Sequence, residues 1–129
     1  MNQLQKLETR KETIGHRRHD LFFNNWIRDN LPDSRKDGFR CYDIDFILWN
    51  KTKQKLMLIE LKSNSSNLKP DHKLCFSLIN KWIKKGIDKE FEYLGFHLIQ
   101  FENTTFEDGK CYLDKKEIKE KELIDFLSF

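Results

Sequence analysis

The chain has 129 residues, an apolar content of 38% and a formal net charge of +3, which suits one domain with a sizeable core. It holds no run of about 18 apolar residues and its first residues are polar, so we expect no membrane span and no signal peptide but a cytoplasmic protein. The three cysteines are odd in number and form no CxxC pair, which favours buried thiols over a disulfide framework or a zinc cluster.

The first predicted element is a helix over residues 17–30. Leu21, Phe22 and Trp26 follow helical spacing and are expected to face inward. The helix should end before Pro32, because a proline disfavours helical backbone in the residue that precedes it. Core positions, rather than base-stacking platforms, are expected for the three tryptophans Trp26, Trp49 and Trp82.

Two strands are predicted next, over Cys41–Trp49 and Lys55–Ser63. Both segments have the apolar composition of strands, and a polar link over residues 50–54 separates them. Two strand-like runs joined by a short polar link favour a β-hairpin.

Acidic side chains interrupt both strands of this hairpin. If the hairpin is symmetric about residues 52 and 53, Asp45 lies opposite Glu60 and Asp43 lies opposite Lys62. Opposed side chains are rooted about 5 Å apart, and like charges there destabilise a sheet. A divalent cation between Asp45 and Glu60 would offset the repulsion, with Lys62 close enough to act on bound substrate or water. The alternative is an exposed sheet face with ion pairs such as Asp43 with Lys62, each contributing about 0–1 kcal/mol.

A second helix is predicted from Pro70 to Gly86, because proline fits the first turn of a helix and glycine fits its end. Apolar residues follow one side of this helix, and Lys73, Lys81 and Lys84 lie along another.

Basic and acidic residues are segregated along the chain. Residues 51–85 hold nine lysines against two acids, whereas residues 86–129 hold six lysines against eleven acids. The segregation suggests a basic face for a polyanion, and the alternative is a set of solvated surface lysines.

The last part of the chain completes the predicted fold. Strands are predicted over Phe91–Phe101 and Lys110–Leu113, and Asp114 is expected to cap a last helix with Glu117 three residues on, as in a capping box. The order α-β-β-α-β-β-α predicts one α/β domain over residues 1–129, with a mixed central β-sheet flanked by helices.

Asp45 and the triplet Glu60-Leu61-Lys62, fifteen residues later, resemble the motif of the PD-(D/E)XK nuclease superfamily. The spacing and residue pattern are most similar to its virus-type replication-repair nuclease branch. In that branch an Asp opens an apolar strand, a polar turn follows and the next strand ends in Glu-apolar-Lys. The resemblance implies a restriction-endonuclease-like core. It covers residues 43–86 and extends more weakly back to Gly15.

The resemblance also implies roles for these residues. Asp45, Glu60 and the backbone carbonyl of Leu61 would be metal ligands, and Lys62 would orient or activate the attacking water and stabilise charge on the phosphate. Many relatives add an acid from the first helix. The candidates for that further ligand are Asp20, held weakly, and otherwise Glu12 or Asp43.

Two departures from the family pattern concern the subfamily and substrate more than the fold. Ile44 stands where the name-giving proline would be. Many relatives carry a glutamine at the start of the second helix, where this chain has Asp71-His72-Lys73. Either His72 replaces that glutamine in touching substrate or water, or the function is reduced.

The function that the resemblance implies is a Mg²⁺-dependent nuclease that hydrolyses DNA phosphodiester bonds, with Mn²⁺ as a substitute metal and a structure-specific or partner-directed mode of cutting. The alternative is a non-catalytic DNA-binding or interaction module on a nuclease fold. A homodimer is compatible with this size, because a small domain often needs a second copy to grip both strands. The side chains expected to contact DNA are Lys73, Lys81, Lys84, Arg17, Arg18 and His72.

Overall fold

The computed structural model describes residues 22, 23, 25–32, 38 and 40–129. The chain divides into two compact units, residues 1–41 and residues 42–129. The single domain over residues 1–129 stays a prediction.

In the first unit, residues 22, 23 and 25–30 are helical, which agrees with the predicted helix over this range. The helix ends before Pro32, as predicted. The predicted inward orientation of Phe22 and Trp26 is wrong, because these side chains are 77% and 49% exposed. Helical periodicity identifies an apolar stripe, but it does not specify what covers that stripe.

The second unit, which is described in full, is an α/β fold built on one five-stranded sheet. In chain order its elements are β1 (Phe46–Asn50), β2 (Lys55–Lys62), α1 (Pro70–Gly86), β3 (Glu92–Phe101), β4 (Cys111–Leu113), β5 (Lys116–Ile118) and α2 (Glu120–Leu127). The strands lie side by side in the order β1-β2-β3-β4-β5; β2 and β3 are parallel, and the other neighbours are antiparallel. The predicted α/β class with a mixed sheet is confirmed, with one strand more than predicted.

Helix α1 begins at Pro70 and ends at Gly86, as predicted. Proline is tolerated at the first helical position because the N–H group that it lacks would have no intrahelical partner there. The helix forms the crossover that joins the parallel strands β2 and β3. None of the helices among the described residues is long and apolar enough to cross a bilayer.

Helix α1 packs on the face of the sheet from which the Glu60 side chain projects. Phe76 is 2% exposed, and its ring centroid lies 4.5 Å from that of Phe96 on β3. Asn80 Oδ1 accepts a hydrogen bond from the Phe96 backbone N–H at 3.1 Å. Phe96 and Leu98 lie on one face of β3, and Leu98 pairs with Glu60 on β2. Glu60 therefore lies on the face that α1 covers.

The opposite face of the sheet carries the main core, which helix α2 closes. Its buried members are Met57, Ile59, Ile99, Cys111 and Leu123. All three cysteines are free thiols. The prediction of buried thiols is confirmed for Cys111 and wrong for Cys41, which is exposed, and Cys75 is only partly buried.

The predicted start of the last helix at Asp114 is wrong. Asp114 and Lys115 have φ angles of 49° and 73° and form the turn between β4 and β5. The Asp114 carboxylate accepts hydrogen bonds from His97 Nδ1 at 2.6 Å and from the Leu98 backbone N–H at 2.9 Å. These contacts tie the turn to β3, so the chain reverses at Asp114 instead of starting a helix.

The capping contact predicted for Glu117 is made by another acid, five residues further along the chain. Helix α2 begins at Glu120, and Glu122 Oε1 accepts a hydrogen bond from the Lys119 backbone N–H at 3.0 Å. Glu117 lies in β5, where its carboxylate is 3.0 Å from Lys119 Nζ. The acid whose side chain caps this helix is thus Glu122 and not Glu117.

Strand β1 is one edge of the sheet, and its apolar side chains are exposed. Phe46, Ile47 and Trp49 are 51%, 62% and 59% exposed, and Trp82 on α1 is 60% exposed. The predicted core positions of Trp49 and Trp82 are therefore wrong. Trp49 lies on a strand with a described neighbour on one side only, and Trp82 lies away from the side of α1 that carries Phe76.

Candidate functional site

The β1–β2 hairpin brings Asp45 and Glu60 together. Phe46 pairs with Ile59, and one residue further along the same antiparallel register Asp45 lies opposite Glu60. This is the register that the sequence predicts. The strand itself begins at Phe46 rather than at the predicted Cys41, so Asp45 lies at the point where the chain enters the sheet.

Asp45 is fixed by the neighbouring strand although it precedes β1. Its Oδ2 atom accepts a hydrogen bond from the Leu61 backbone N–H at 2.8 Å. The bond crosses from the start of one strand to the end of the other. It holds the Asp45 carboxylate beside the residue that follows Glu60, which places two carboxyl groups at one end of the hairpin.

Glu60 is a buried acid with one oxygen that lacks a donor. It is 2% exposed, its Oε1 lies 3.5 Å from Lys62 Nζ, and its Oε2 has no hydrogen-bond partner. Burial raises the pKa of Glu60 to about 7, the neighbouring Asp45 carboxylate adds to the rise, and Lys62 opposes it. A buried charge without compensation costs free energy. Either a proton or a cation can lower that cost.

Lys62 lies two residues after Glu60 and projects to the same face of β2. Its ion pair is with Glu60, so the alternative prediction of an Asp43–Lys62 pair is wrong. Asp43 precedes β1 and is not part of the paired strand. The geometry therefore brings together Asp45, Glu60 and Lys62, as the spacing predicts, whereas Asp43 lies two residues further from the start of β1.

His72, in the first turn of α1, lies next to this end of the hairpin. Its ring stacks on Tyr42 with centroids 4.4 Å apart and an interplanar angle of 7°, and it lies 4.3 Å from the ring of Phe76. Burial lowers the pKa of His72, and so does the positive charge of Lys62, against the pull of two acids that precede β1. No sequence motif singles out Tyr42; only the fold shows that it holds the His72 ring.

The buried nitrogen of His72 has no partner in the described residues. Nε2 is shielded from solvent and makes no hydrogen bond. A neutral imidazole can donate through one nitrogen and accept through the other. His72 therefore keeps hydrogen-bonding capacity beside the two acids.

The lysines predicted to contact DNA are exposed on α1. Lys73, Lys81 and Lys84 are solvent-exposed, whereas Phe76 on the same helix is buried against β3. Their contact with DNA stays a prediction. Four further candidates from the sequence lie outside the described residues: Glu12, Arg17, Arg18 and Asp20.

No family model, no curated protein and no solved structure matches the chain. The nuclease family stays a resemblance that rests on Asp45 and the Glu60-Leu61-Lys62 triplet. Over the described residues, no group of three or more His, Cys, Asp or Glu side chains is placed to hold a metal ion. The described side chains that could ligate a metal ion at this site are the carboxyl groups of Asp45 and Glu60.

Proposed function

We propose that the chain is a metal-dependent nuclease that hydrolyses DNA phosphodiester bonds. The meeting of Asp45 and Glu60 across the hairpin, with Lys62 on the same face, carries the proposal. Two acids at the end of an apolar hairpin repel each other, and one of them has a buried oxygen without a donor. A structural domain gains nothing from that arrangement, whereas a site that binds a cation does.

The donor set fits Mg²⁺, with Mn²⁺ as its substitute. Asp45, Glu60 and the backbone carbonyl of Leu61 would hold the ion, because Mg²⁺ prefers oxygen ligands and is usually bound by one or two carboxylates together with water and phosphate. The free Glu60 Oε2 supports this assignment. When bound, the ion would polarise the phosphate and lower the pKa of a coordinated water. Asp20 stays the first candidate for a further carboxylate, ahead of Glu12 and Asp43.

Lys62 would act on the phosphate and on the attacking water. Its ammonium is held 3.5 Å from Glu60 Oε1 and is 26% exposed, so it keeps access to a ligand while its position is fixed. A pre-positioned positive charge stabilises the negative charge that builds up on phosphate oxygens in the transition state. The neutral ring of His72 would hydrogen-bond to substrate or water through its unpartnered nitrogen.

The surface around the site suits a nucleic-acid substrate, which we propose to be DNA. Lys73, Lys81 and Lys84 are exposed on α1, and the same helix begins beside the site at His72. Lysines bind the phosphate backbone without regard to sequence. This agrees with a structure-specific or partner-directed endonuclease on a restriction-endonuclease-like core, in which the hairpin, α1 and the parallel strand β3 form the central part.

A cleavage assay with matched variants tests the proposal. Wild type, Asp45→Asn and Glu60→Gln are incubated with linear duplex, flap and four-way-junction DNA in Mg²⁺, in Mn²⁺ and in EDTA. Glu107→Gln is the control, because Glu107 is also a glutamate but is exposed and lies in the loop after β3. We expect cutting by wild type and by the control, dependence on the metal, and loss of cutting in both site variants.

Two results would contradict the proposal. The catalytic claim fails if wild type cuts none of these substrates in either metal, or if both site variants cut as fast as wild type. Salt-dependent DNA binding without cleavage and without a heat of Mn²⁺ binding would instead support the non-catalytic DNA-binding module.

A further inference from the structure

The outer edge of β1 has no neighbouring strand among the described residues. β1 pairs with β2 alone, so a row of backbone N–H and C=O groups faces away from the sheet. Phe46 is exposed on one face, and Ile47 and Trp49 are exposed on the other. β1 contains no charged residue, no proline and no bulge, which are the features that usually keep an edge strand from pairing.

The other edge of the sheet has the protection that β1 lacks. β5 is three residues long, and Lys116 and Glu117 are exposed on it. Glu117 also forms ion pairs with Lys110 and Lys119, at 3.6 Å and 3.0 Å. A short and charged edge disfavours pairing with another strand. The open apolar edge is therefore a specific property of β1.

We propose that β1 pairs with β1 of a second copy of this chain, which gives a homodimer with one continuous sheet. The partner must supply free strand backbone and apolar side chains on both faces, because β1 exposes both. Among the described strands, β1 itself meets the two requirements. An uncharged strand also meets a second copy of itself without repulsion between like charges.

An antiparallel pair centred on Leu48 is self-complementary. Ile47 then lies opposite Trp49 of the second copy, and the two-fold symmetry repeats this contact. Aromatic and β-branched side chains form favourable pairs across strands. Phe46 lies opposite Asn50 of the second copy, on the other face.

The size of the exposed patch sets the expected strength. Phe46, Ile47 and Trp49 are each more than half exposed, which amounts to about 300 Å² of apolar surface per copy, since a large aromatic side chain buries about 150–250 Å². Two such patches are smaller than the roughly 1,600 Å² of a standard interface. Interfaces of the standard size range from micromolar to picomolar affinity, so this smaller dimer should dissociate at about micromolar concentrations or above.

The pairing also fixes the relation between the two candidate sites, a consequence that rests on the proposed nuclease function. The two-fold axis of an antiparallel strand pair is perpendicular to the sheet, so the same face of both copies points the same way. In this register the two Asp45 residues lie about 20 Å apart along the strands, at about 3.3 Å per residue. Two sites on one face would cut both strands of one duplex.

Sedimentation velocity of the full chain without metal or DNA tests the pairing. We expect the mass to rise from 15.7 kDa towards twice that value as the protein concentration increases from about 1 to about 200 µM, a range that covers weak interfaces. Ile47→Lys and Trp49→Lys, checked for native fold by circular dichroism, should each raise the dissociation constant at least tenfold. Ile124→Lys is the matched control, because Ile124 is also 56% exposed but lies on α2.

The outcomes separate the two proposals. A wild-type chain that stays monomeric at the highest concentration overturns the dimer, whatever its activity on DNA. So does a dimer that survives both β1 substitutions unchanged, whatever the effect of Ile124→Lys. Amide exchange gives a second reading that needs no variant: β1 amides should exchange more slowly as concentration rises, and protection that is independent of concentration would show that another segment covers the edge. Because none of these measurements involves cleavage, an inactive protein leaves the result intact.

Discussion

Lys62 Nζ lies 3.5 Å from Glu60 Oε1 on the sheet face that α1 covers. The pKa of Glu60 is raised by burial and by Asp45 and lowered by Lys62. Without a metal, the site therefore holds two carboxyl groups and one ammonium group. A proton on Glu60 removes the excess negative charge.

Replacing Lys62 with methionine should abolish most of the cutting while leaving metal binding intact. Methionine keeps the length of the side chain and removes its charge. Loss of one pre-positioned donor at a developing negative charge typically costs about 10²–10³-fold in rate. Single-turnover cleavage measures the rate and Mn²⁺ calorimetry measures the metal. Lys53→Met, in the exposed hairpin turn, is the control; equal rates for Lys62→Met and this control would exclude the assigned role.

The raised pKa of Glu60 predicts a loss of stability between acid and neutral pH. The pKa of Glu60 in the folded chain, about 7, is above the ordinary value of 4.5, so the stabilising contribution is complete below pH 4.5 and is lost as pH rises through 7. The full loss is about 3 kcal/mol at about 1.36 kcal/mol per pKa unit. Urea unfolding at pH 5 and pH 8 without divalent ions measures it.

The matched variant for this pH effect is Glu60→Gln, which cannot ionise. Its unfolding free energy should fall less than that of wild type between the two pH values, whereas Glu107→Gln should follow wild type. Identical pH profiles for wild type and Glu60→Gln would show that Glu60 titrates normally.

Mg²⁺ should stabilise the folded chain, and more so at pH 8 than at pH 6. A metal binds the ionised carboxylate, so it competes with the proton on Glu60. At ten times the dissociation constant, the gain is about 1.4 kcal/mol, measured as a rise in the thermal midpoint. Asp45→Asn removes one ligand and should lose the gain, whereas Glu107→Gln should keep it. A stabilisation of equal size in Asp45→Asn would place the ion elsewhere.

The lysines of α1 should set the salt dependence of DNA binding. The triple substitution of Lys73, Lys81 and Lys84 by glutamine should reduce the slope of log affinity against log salt by about 2.7, given about 0.9 per phosphate contact. Fluorescence anisotropy over a salt series measures the slope. The charge-matched control replaces the exposed lysines Lys89, Lys116 and Lys121. If the control changes the slope as much as the α1 variant, net charge rather than this face accounts for binding.

Local sequence signals predict the hairpin register and the ends of α1 correctly. The register that opposes Asp45 to Glu60 follows from the symmetry of two apolar runs about a polar turn, and the structure confirms it. Pro70 and Gly86 mark both ends of α1 correctly. Each of these predictions depends on interactions between residues that are close together in the sequence.

The sequence-based predictions are wrong where contacts between residues distant in the sequence determine the structure. At Asp114 the local pattern of an N-cap competes with bonds to His97 and Leu98 on β3, and the tertiary contacts prevail. The exposure of Trp49 depends on which strands neighbour β1, and composition carries no information on strand order. The stacking of Tyr42 on His72 likewise joins residues thirty positions apart.

The covering of one sheet face by α1 means that the acidity of Glu60 belongs to the assembled fold and not to the hairpin. A chain that has formed β1 and β2 but has not yet docked α1 would carry Glu60 as an ordinary water-exposed carboxyl group. The burial that raises the pKa of Glu60 would then be complete only once α1 has docked on the sheet. The titration of this one side chain would therefore report whether α1 is docked.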